Sequence, residues 1–329
     1  MTDTTFPHSI VVTGGAGFIG SHLVDSLVQD GCTVTVVDNF DAYYDPAIKW
    51  ANLASALDSG QVQLHEIDIC DRENLESVVR TAAPSVIVHL AARAGVRSSF
   101  EDPLAYERVN IQGTMQVLDV ARALDVPQCV IASSSSVYGN HPDVPFVETI
   151  PNLRPISPYG ATKLASETIC RMYADVHDIQ VACLRFFTVY GPRQRPDMAI
   201  AGFTRKILAD ETIELYAGGE SSRDYTFVLD IVSGIRGVIR HPRPFEIYNI
   251  GNAAVVSLRE LVQALETVLG RKANVTLAPA QPGDVQQTYS DISKARRLLE
   301  YSPHTSIEQG LRQYFDWLET VGAGSLADK

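Results

Sequence analysis

Apolar and polar positions along this chain change period again and again. Ser9–Thr13 is a short β-branched run, and Phe18–Asp30 then carries apolar residues at helical spacing. Gly31 stops that helix as a glycine just past a C-terminus does. Thr33–Val37 is the next strand and ends at Asp38. Val62–Ile67, Val86–Leu90, Gln128–Ala132 and Gln180–Phe186 read as further buried strands. Helical stretches near Arg72–Thr81, Leu104–Leu124 and from Pro158 onward separate them. The alternation predicts an α/β protein: a parallel sheet with helices on both faces. Beyond Tyr190 the texture changes, with Gly191-Pro192, Arg195-Pro196, Gly218-Gly219, Pro242, Pro244 and Pro282-Gly283 punctuating shorter elements. The expected division is a first domain over 1–190 and mainly a smaller lobe over 191–329, with the chain crossing between them. A final helix, Ser306–Thr320, places Ile307, Leu311, Tyr314, Phe315 and Leu318 at core spacing.

Composition narrows the partners. The 329 residues carry 27 basic and 39 acidic side chains, a net charge of −12. Such a surface disfavours nucleic acid and anionic membranes, but a few local arginines can still hold an anionic small molecule. No apolar stretch reaches the ~18 residues of a membrane span, and the polar start of the chain is unlike a signal peptide. The five cysteines are scattered, with no metal-binding spacing, which fits free thiols in a reducing cytoplasm and no metal site.

Chemistry gathers at the predicted strand ends. Gly14, Gly17 and Gly20 form a GxxGxxG turn between the first strand and helix, which allows a tight turn and close approach of a pyrophosphate. The following helix N-terminus, with Phe18 and Ile19, supplies N–H groups and positive dipole to phosphates. Asp38 closes the second strand, where a carboxylate accepts from a ribose 2′-OH and repels a 2′-phosphate. NAD is therefore expected over NADP, on a Rossmann-type doubly wound sheet. Asp68, at the end of the third strand, either meets the adenine edge or caps its loop. Tyr159-x-x-x-Lys163 opens a helix after Ser157-Pro158, so both side chains lie on one face. A lysine ammonium beside a phenol favours the phenolate, and a charge at ~4 Å is strong enough to shift the pKa by ~3 units. Ser134, Ser135 and Ser136 follow the fifth strand, facing the same crevice. Hydroxyls there either bond a substrate or satisfy the strand end.

Together these residues resemble the extended short-chain dehydrogenase/reductases that act on nucleotide sugars. The resemblance rests on Gly14–Gly20, Leu90-Ala91-Ala92, Asn110, Ser134-x-x-x-Tyr138-Gly139 and Tyr159-x-x-x-Lys163. It continues through Arg223-Asp224-Tyr225, Tyr248-Asn249-Ile250-Gly251-Asn252 and Gln281-Pro282-Gly283-Asp284, and so covers nearly the whole chain. It implies that Tyr159 takes the sugar 4-OH proton, directly or through Ser134, while hydride leaves C4 for NAD and Lys163 holds the cofactor ribose. Asn39, Ile69, Leu90, Ala91, Ala92 and Asn110 join the cofactor site on the same ground. Arg97, Arg223, Gln281 and Asp284 are implied at the UDP-sugar, with Ala199, Leu215 and Tyr216 near the uracil. The resemblance also implies a homodimer, with Leu104–Leu124 and Pro158–Val176 packed across a two-fold.

The reaction is decided elsewhere. Relatives that eliminate water or CO2 carry an acidic residue after the catalytic hydroxyl or before the Tyr-Gly pair. Here the run is Ser135-Ser136-Val137-Tyr138-Gly139, with none. Epimerisation needs none. Phe186-Phe187-Thr188-Val189-Tyr190-Gly191-Pro192 with Arg193–Ala199, and Asp38-Asn39-Phe40 with Tyr43–Pro46 and Lys49, resemble UDP-glucuronate 4-epimerases. Arg195, with Thr188 and the serines, is then the expected clamp for the sugar carboxylate. UDP-glucose or UDP-N-acetylglucosamine 4-epimerisation and UDP-glucuronate decarboxylation are the competing reactions.

Overall fold

The computed structural model describes residues 6–279 and 285–321. Seven parallel strands form the main sheet, in the order Phe245–Ile250, Gln180–Phe186, Gln128–Ser134, Val86–His89, Ser9–Thr13, Thr33–Asp38, Val62–Glu66. The central runs are apolar because both faces are covered. Ile10, Val12, Val34, Val36 and Val88 pack into one core, while their alternates Val11, Val37, Ile87, Cys129 and Ile131 pack into the other.

Strand order reverses at Ser9–Thr13. The chain runs outward to Val62–Glu66 on one side and returns through Val86–His89 on the other. A crevice opens at the carboxyl ends where the direction switches. The glycine turn after Thr13 and the Leu90–Ala92 segment after His89 meet there. The seventh strand comes from beyond residue 190. So does a parallel pair, Asn274–Ala278 with Thr212–Tyr216, while a three-stranded sheet joins Val255–Ser257 and Ser222–Phe227 from that half to Thr188–Tyr190 from the first.

Two elements differ from the sequence reading. The helix expected over Leu104–Leu124 is broken into Ser98–Glu101, Pro103–Glu107, a π-helical turn at Arg108–Gly113, and Thr114–Ala123. The wide turn has a cause at Asn110. Its side chain bonds both Arg93 N–H and Arg93 carbonyl (2.9 and 3.0 Å), and its carbonyl accepts from the Thr114 and Ser166 hydroxyls (2.6 and 2.8 Å). A helix also forms over Pro46–Asp58, with Asp45 accepting from Ala47 N–H and Pro46 in the first turn. Its Asn52 amide reaches the Ala16 carbonyl in the glycine turn (3.3 Å).

Beneath the crevice lies a buried ion pair. Arg185 pairs with Ser133 across the strands and donates to both Glu167 oxygens (2.9 and 2.8 Å), while Ser133 donates to Glu167 at 2.5 Å. Arg185 and Glu167 are 2% and 4% exposed, so removing one partner strands a charge away from water. Glu167→Ala should lose about 3–5 kcal/mol of unfolding free energy in urea titration. The Glu167→Met, Arg185→Met pair should lose less than Glu167→Ala alone, because no charge is left buried. Losses in the pair that equal or exceed those of the single change would contradict this.

Candidate active site

One cleft gathers most of the expected residues. Gly14, Gly17, Phe18, Ile19 and Gly20 line one part of it, with Asp38, Asn39, Asp68 and Ile69 beside them. Leu90, Ala91, Ala92, Ser134, Tyr159, Lys163 and Arg195 line the remainder.

The glycine end is tight. Gly14 has φ +70°, and a Cβ there would stand 2.6 Å from Ala91 N; a Cβ on Gly20 would run into the Gly14 carbonyl. Gly17 caps the helix Phe18–Gln29 without a side chain, which leaves first-turn N–H groups for an anion. Asp38 is 7% exposed and accepts from Ala16 and Phe40 N–H (3.1 and 2.9 Å). Burial raises its pKa, and Lys49, 3.9 Å away, acts against the rise. A dinucleotide fits this end: a phosphate cradle too close for side chains, then a carboxylate for a ribose. Asp68 takes the loop-fixing role, accepting from Cys70 N–H (2.9 Å) and Arg108 (2.8 Å), and it also lines the cleft. Burial pulls its pKa up, but these two partners outweigh that and hold it low.

The other end carries the acid–base groups. Ser157 caps the helix Pro158–His177 by accepting from Gly160 N–H (3.1 Å), and Tyr159 projects from its first turn. The expected effect of Lys163 on Tyr159 is not what the geometry gives. Lys163 Nζ donates to the Ala132 carbonyl (3.0 Å), and burial lowers its own pKa to about 8. Burial also raises the pKa of Tyr159. The groups acting against that are a hydrogen bond with Ser134 and the charge of Arg195. The four-residue spacing is kept, but a strand carbonyl attracts the ammonium instead of the phenol.

Other expected residues are arranged differently. Ser133 belongs to the ion pair, Ser135 is buried, and Ser136 bonds Ser134 (3.1 Å). Asn110 reaches the site through Thr162 (3.0 Å) on the Tyr159 helix. Thr188 is half-buried next to Phe187, which lines the cleft. Leu215 is 2% exposed, with its side chain in the main core. Arg97 lies over the Tyr216 ring at 5.0 Å, so these two do meet. Ala199 starts the helix Ala199–Leu208, and Arg223 donates to the Ser222 carbonyl (2.8 Å). Gln281 and Asp284 lie outside the described residues.

Several residues were not assigned roles from sequence. Tyr43, Tyr44, Lys49 and Arg93 line the cleft. Lys49 is 8% exposed, unusual for a lysine, and sits in a dense polar-aromatic run that is the one sequence signal of its role. His89 bonds Thr13 (2.7 Å) and Thr114 (3.1 Å) beneath the crevice, and burial, with Lys163, lowers its pKa to about 3. Among the described residues no His, Cys, Asp and Glu cluster could hold a metal, and no helix is long and apolar enough to cross a membrane.

Known proteins carry the same architecture. The sequence profile of the GDP-mannose 4,6 dehydratase family matches residues 11–314. A UDP-glucuronate 4-epimerase of Thermodesulfobacterium geofontis is 37% identical, over 93% of this chain and 95% of its own. UDP-glucuronate 4-epimerase 3 of Arabidopsis thaliana is 40% identical, over 94% of this chain and 76% of its own. The UDP-glucuronic acid 4-epimerase from Bacillus cereus, solved in complex with UDP-glucuronic acid and NAD, superposes with a TM-score of 0.90 at 34% identity, covering 95% and 99% of the two chains. This chain belongs to that dehydratase family, within the extended short-chain dehydrogenase/reductases.

Lys163 gives the site a measurable pH signature. Its pKa is 10.5 ordinarily and about 8 in the fold. Between those values the unfolded chain binds more protons, so this lysine adds stability as pH rises. The unfolding free energy of the cofactor-free wild type, minus that of Lys163→Met, should therefore climb from pH 8 to 10.5, by up to roughly 3 kcal/mol. A flat or falling difference would mean that the ammonium is not desolvated.

Proposed function

We propose, for a member of this family with this cleft, that it is an NAD-dependent 4-epimerase interconverting UDP-glucuronate and UDP-galacturonate through a transient 4-keto sugar. The observation that carries the reading is the convergence of Tyr159, Ser134 and Arg195 on a cleft whose far end is a dinucleotide cradle. The named relatives support the same substrate and cofactor.

NAD, held by Gly14–Gly20, Asp38 and Lys163, supplies a cationic ring that accepts hydride from the sugar C4 and returns it. The rest is done by this chain. Tyr159 takes the 4-OH proton, directly or through Ser134, and later gives it back. Arg195 and Ser134 favour the phenolate against burial. Arg195 takes the sugar carboxylate, with Thr188, Ser135 and Ser136 supplying hydroxyls around it. Arg97, Tyr216 and Arg223, with Ala199, Gln281 and Asp284, hold the UDP. The cleft's carboxylates Asp38, Asp41 and Asp68 follow other strands than the one carrying Ser134. Val137 is fully buried and apolar. Among the described residues, the carboxylate bonded at that strand end, Glu167, is held in the Arg185 ion pair and does not line the cleft, which favours epimerisation over dehydration or decarboxylation. Arg195 favours an acid sugar over glucose-type substrates.

The same reading includes a cytoplasmic homodimer. Leu104, Met172 and Val176 are 77%, 44% and 64% exposed, on helices that pack side by side. An apolar face of this kind fits a two-fold partner.

The test is to incubate the purified protein with UDP-glucuronate, without added cofactor, and follow products by NMR. UDP-galacturonate should form, and denaturing the protein should release NAD. In Arg195→Ala, affinity for UDP-glucuronate should fall about tenfold or more, and a 4-keto-pentose by-product should rise against epimer. Turnover only with added NAD, turnover of UDP-glucose alone, or an unchanged product ratio in Arg195→Ala would each count against the reading.

A further inference from the structure

Arg195 already holds a carboxylate from its own chain. Its Nε donates to Asp197 Oδ1 (2.9 Å) and its Nη2 to Oδ2 (2.8 Å), a side-on fork. Among the described residues Nη1 has no hydrogen-bond partner. Arg195 lines the cleft and Asp197 does not. The turn is closed by Met198 N–H to the Arg195 carbonyl (3.2 Å), which folds Asp197 behind the guanidinium.

Asp197 is in turn fixed by Tyr43, another residue of the cleft wall. Tyr43 lies with its ring 5.3 Å from the Arg195 guanidinium carbon and donates its hydroxyl to Asp197 Oδ2 (3.3 Å). That hydroxyl also meets Ser98 (2.9 Å), Ser98 meets the Tyr106 hydroxyl (2.7 Å), and the Tyr106 ring stands edge-on to Tyr159, 6.2 Å between centroids. One chain of contacts thus runs from the proposed carboxylate holder to the proposed acid–base residue. It crosses loops that are far apart in sequence. Burial pulls the Asp197 pKa up, but Arg195 outweighs it, so the fork stays ionic.

We propose that Asp197, braced by Tyr43, is a positioning residue: it occupies the Nε/Nη2 edge of Arg195 so that the Nη1 edge faces the sugar carboxylate and restrains its rotation. This rests on the proposed epimerase reaction. Its consequence lies in the 4-keto sugar, a β-keto acid. When C5–C6 aligns with the carbonyl π system, that bond breaks, its electron pair passes into the C4 carbonyl as an enolate, CO2 leaves, and a proton later returns to C5; the hydride taken from C4 would stay with the cofactor, one equivalent of bound NAD for each 4-keto-pentose released. A guanidinium free to swing would let the carboxylate turn into that alignment. Asp197 does not act as a general attractor. A second anion behind Arg195 weakens the pull on any incoming carboxylate. Removing its charge should therefore not weaken binding of UDP-glucuronate, while product partition shifts.

The experiment measures the ratio of 4-keto-pentose to UDP-galacturonate by NMR, with UDP-glucuronate affinity by calorimetry. The proteins are wild type, Asp197→Asn, Tyr43→Phe, Arg195→Ala and each of the first two changes combined with Arg195→Ala. Asp197→Asn should raise the by-product ratio about threefold or more, and Tyr43→Phe, which alters no charge, should raise it in the same direction. Neither should raise it further once Arg195 is alanine. Wild-type ratios in both single variants, or equal increases with and without Arg195, would overturn the proposal while leaving the epimerase reading intact. A wild type that makes no UDP-galacturonate would overturn both.

Discussion

Arg185 and Glu167, paired inside the protein beneath the crevice, are the constraint on which the site depends. Glu167 lies one turn beyond Lys163, Ser133 precedes Ser134, and Arg185 leads into Phe186, Phe187 and Thr188. Three chain segments that carry the chemistry are tied to one charge pair. Desolvating both ions leaves little net stability, so the gain is in position. Arg185 also donates to Tyr138 (2.8 Å), which donates to Asn249 (2.7 Å) on the seventh strand. The network therefore extends to a strand contributed by the later half of the chain.

That rigid base makes burial usable above it. Lys163 is buried and Tyr159 and Arg195 are partly withdrawn from water, so each charge acts more strongly on its neighbours than at the surface. Burial alone would leave Tyr159 a firmly protonated phenol and push Lys163 toward neutrality. The Ala132 carbonyl holds the ammonium, while Arg195 and Ser134 act on the phenol. Arg195 therefore has two parts in the proposed reaction, one toward the acid–base residue and one toward the carboxylate. The Asp197 fork is compatible with both, since it fixes the guanidinium without removing its charge.

Much of this was legible in the sequence, for local reasons. A glycine turn between a strand and a helix, with an acid ending the next strand, specifies its own geometry; Gly14 and Asp38 stand where that rule puts them. The parallel sheet followed from unbroken apolar runs. What sequence could not give were pairings between distant segments. The Lys163 spacing was right, but its partner is a carbonyl 31 residues upstream. Asn110 was expected on a regular helix, and its bonds to Arg93, 17 residues upstream, accompany a π-helical turn instead. Leu215 sits on a strand whose alternation turns its side chain into the core. Asp197 stood beside Arg195 in plain view, but a carboxylate two residues from an arginine has no meaning until the turn folds it behind the guanidinium.

In the proposed reaction the sugar is oxidised and reduced at C4 within one cleft, and the carbon next to the carboxylate is untouched. Deuterium placed at C4 of UDP-glucuronate tests it directly, with products examined by NMR and the converse reaction run in deuterated water. The account predicts UDP-galacturonate that keeps its deuterium at C4 and gains none at C5. Washout of the C4 label, or solvent deuterium at C5 of the epimer, would contradict it.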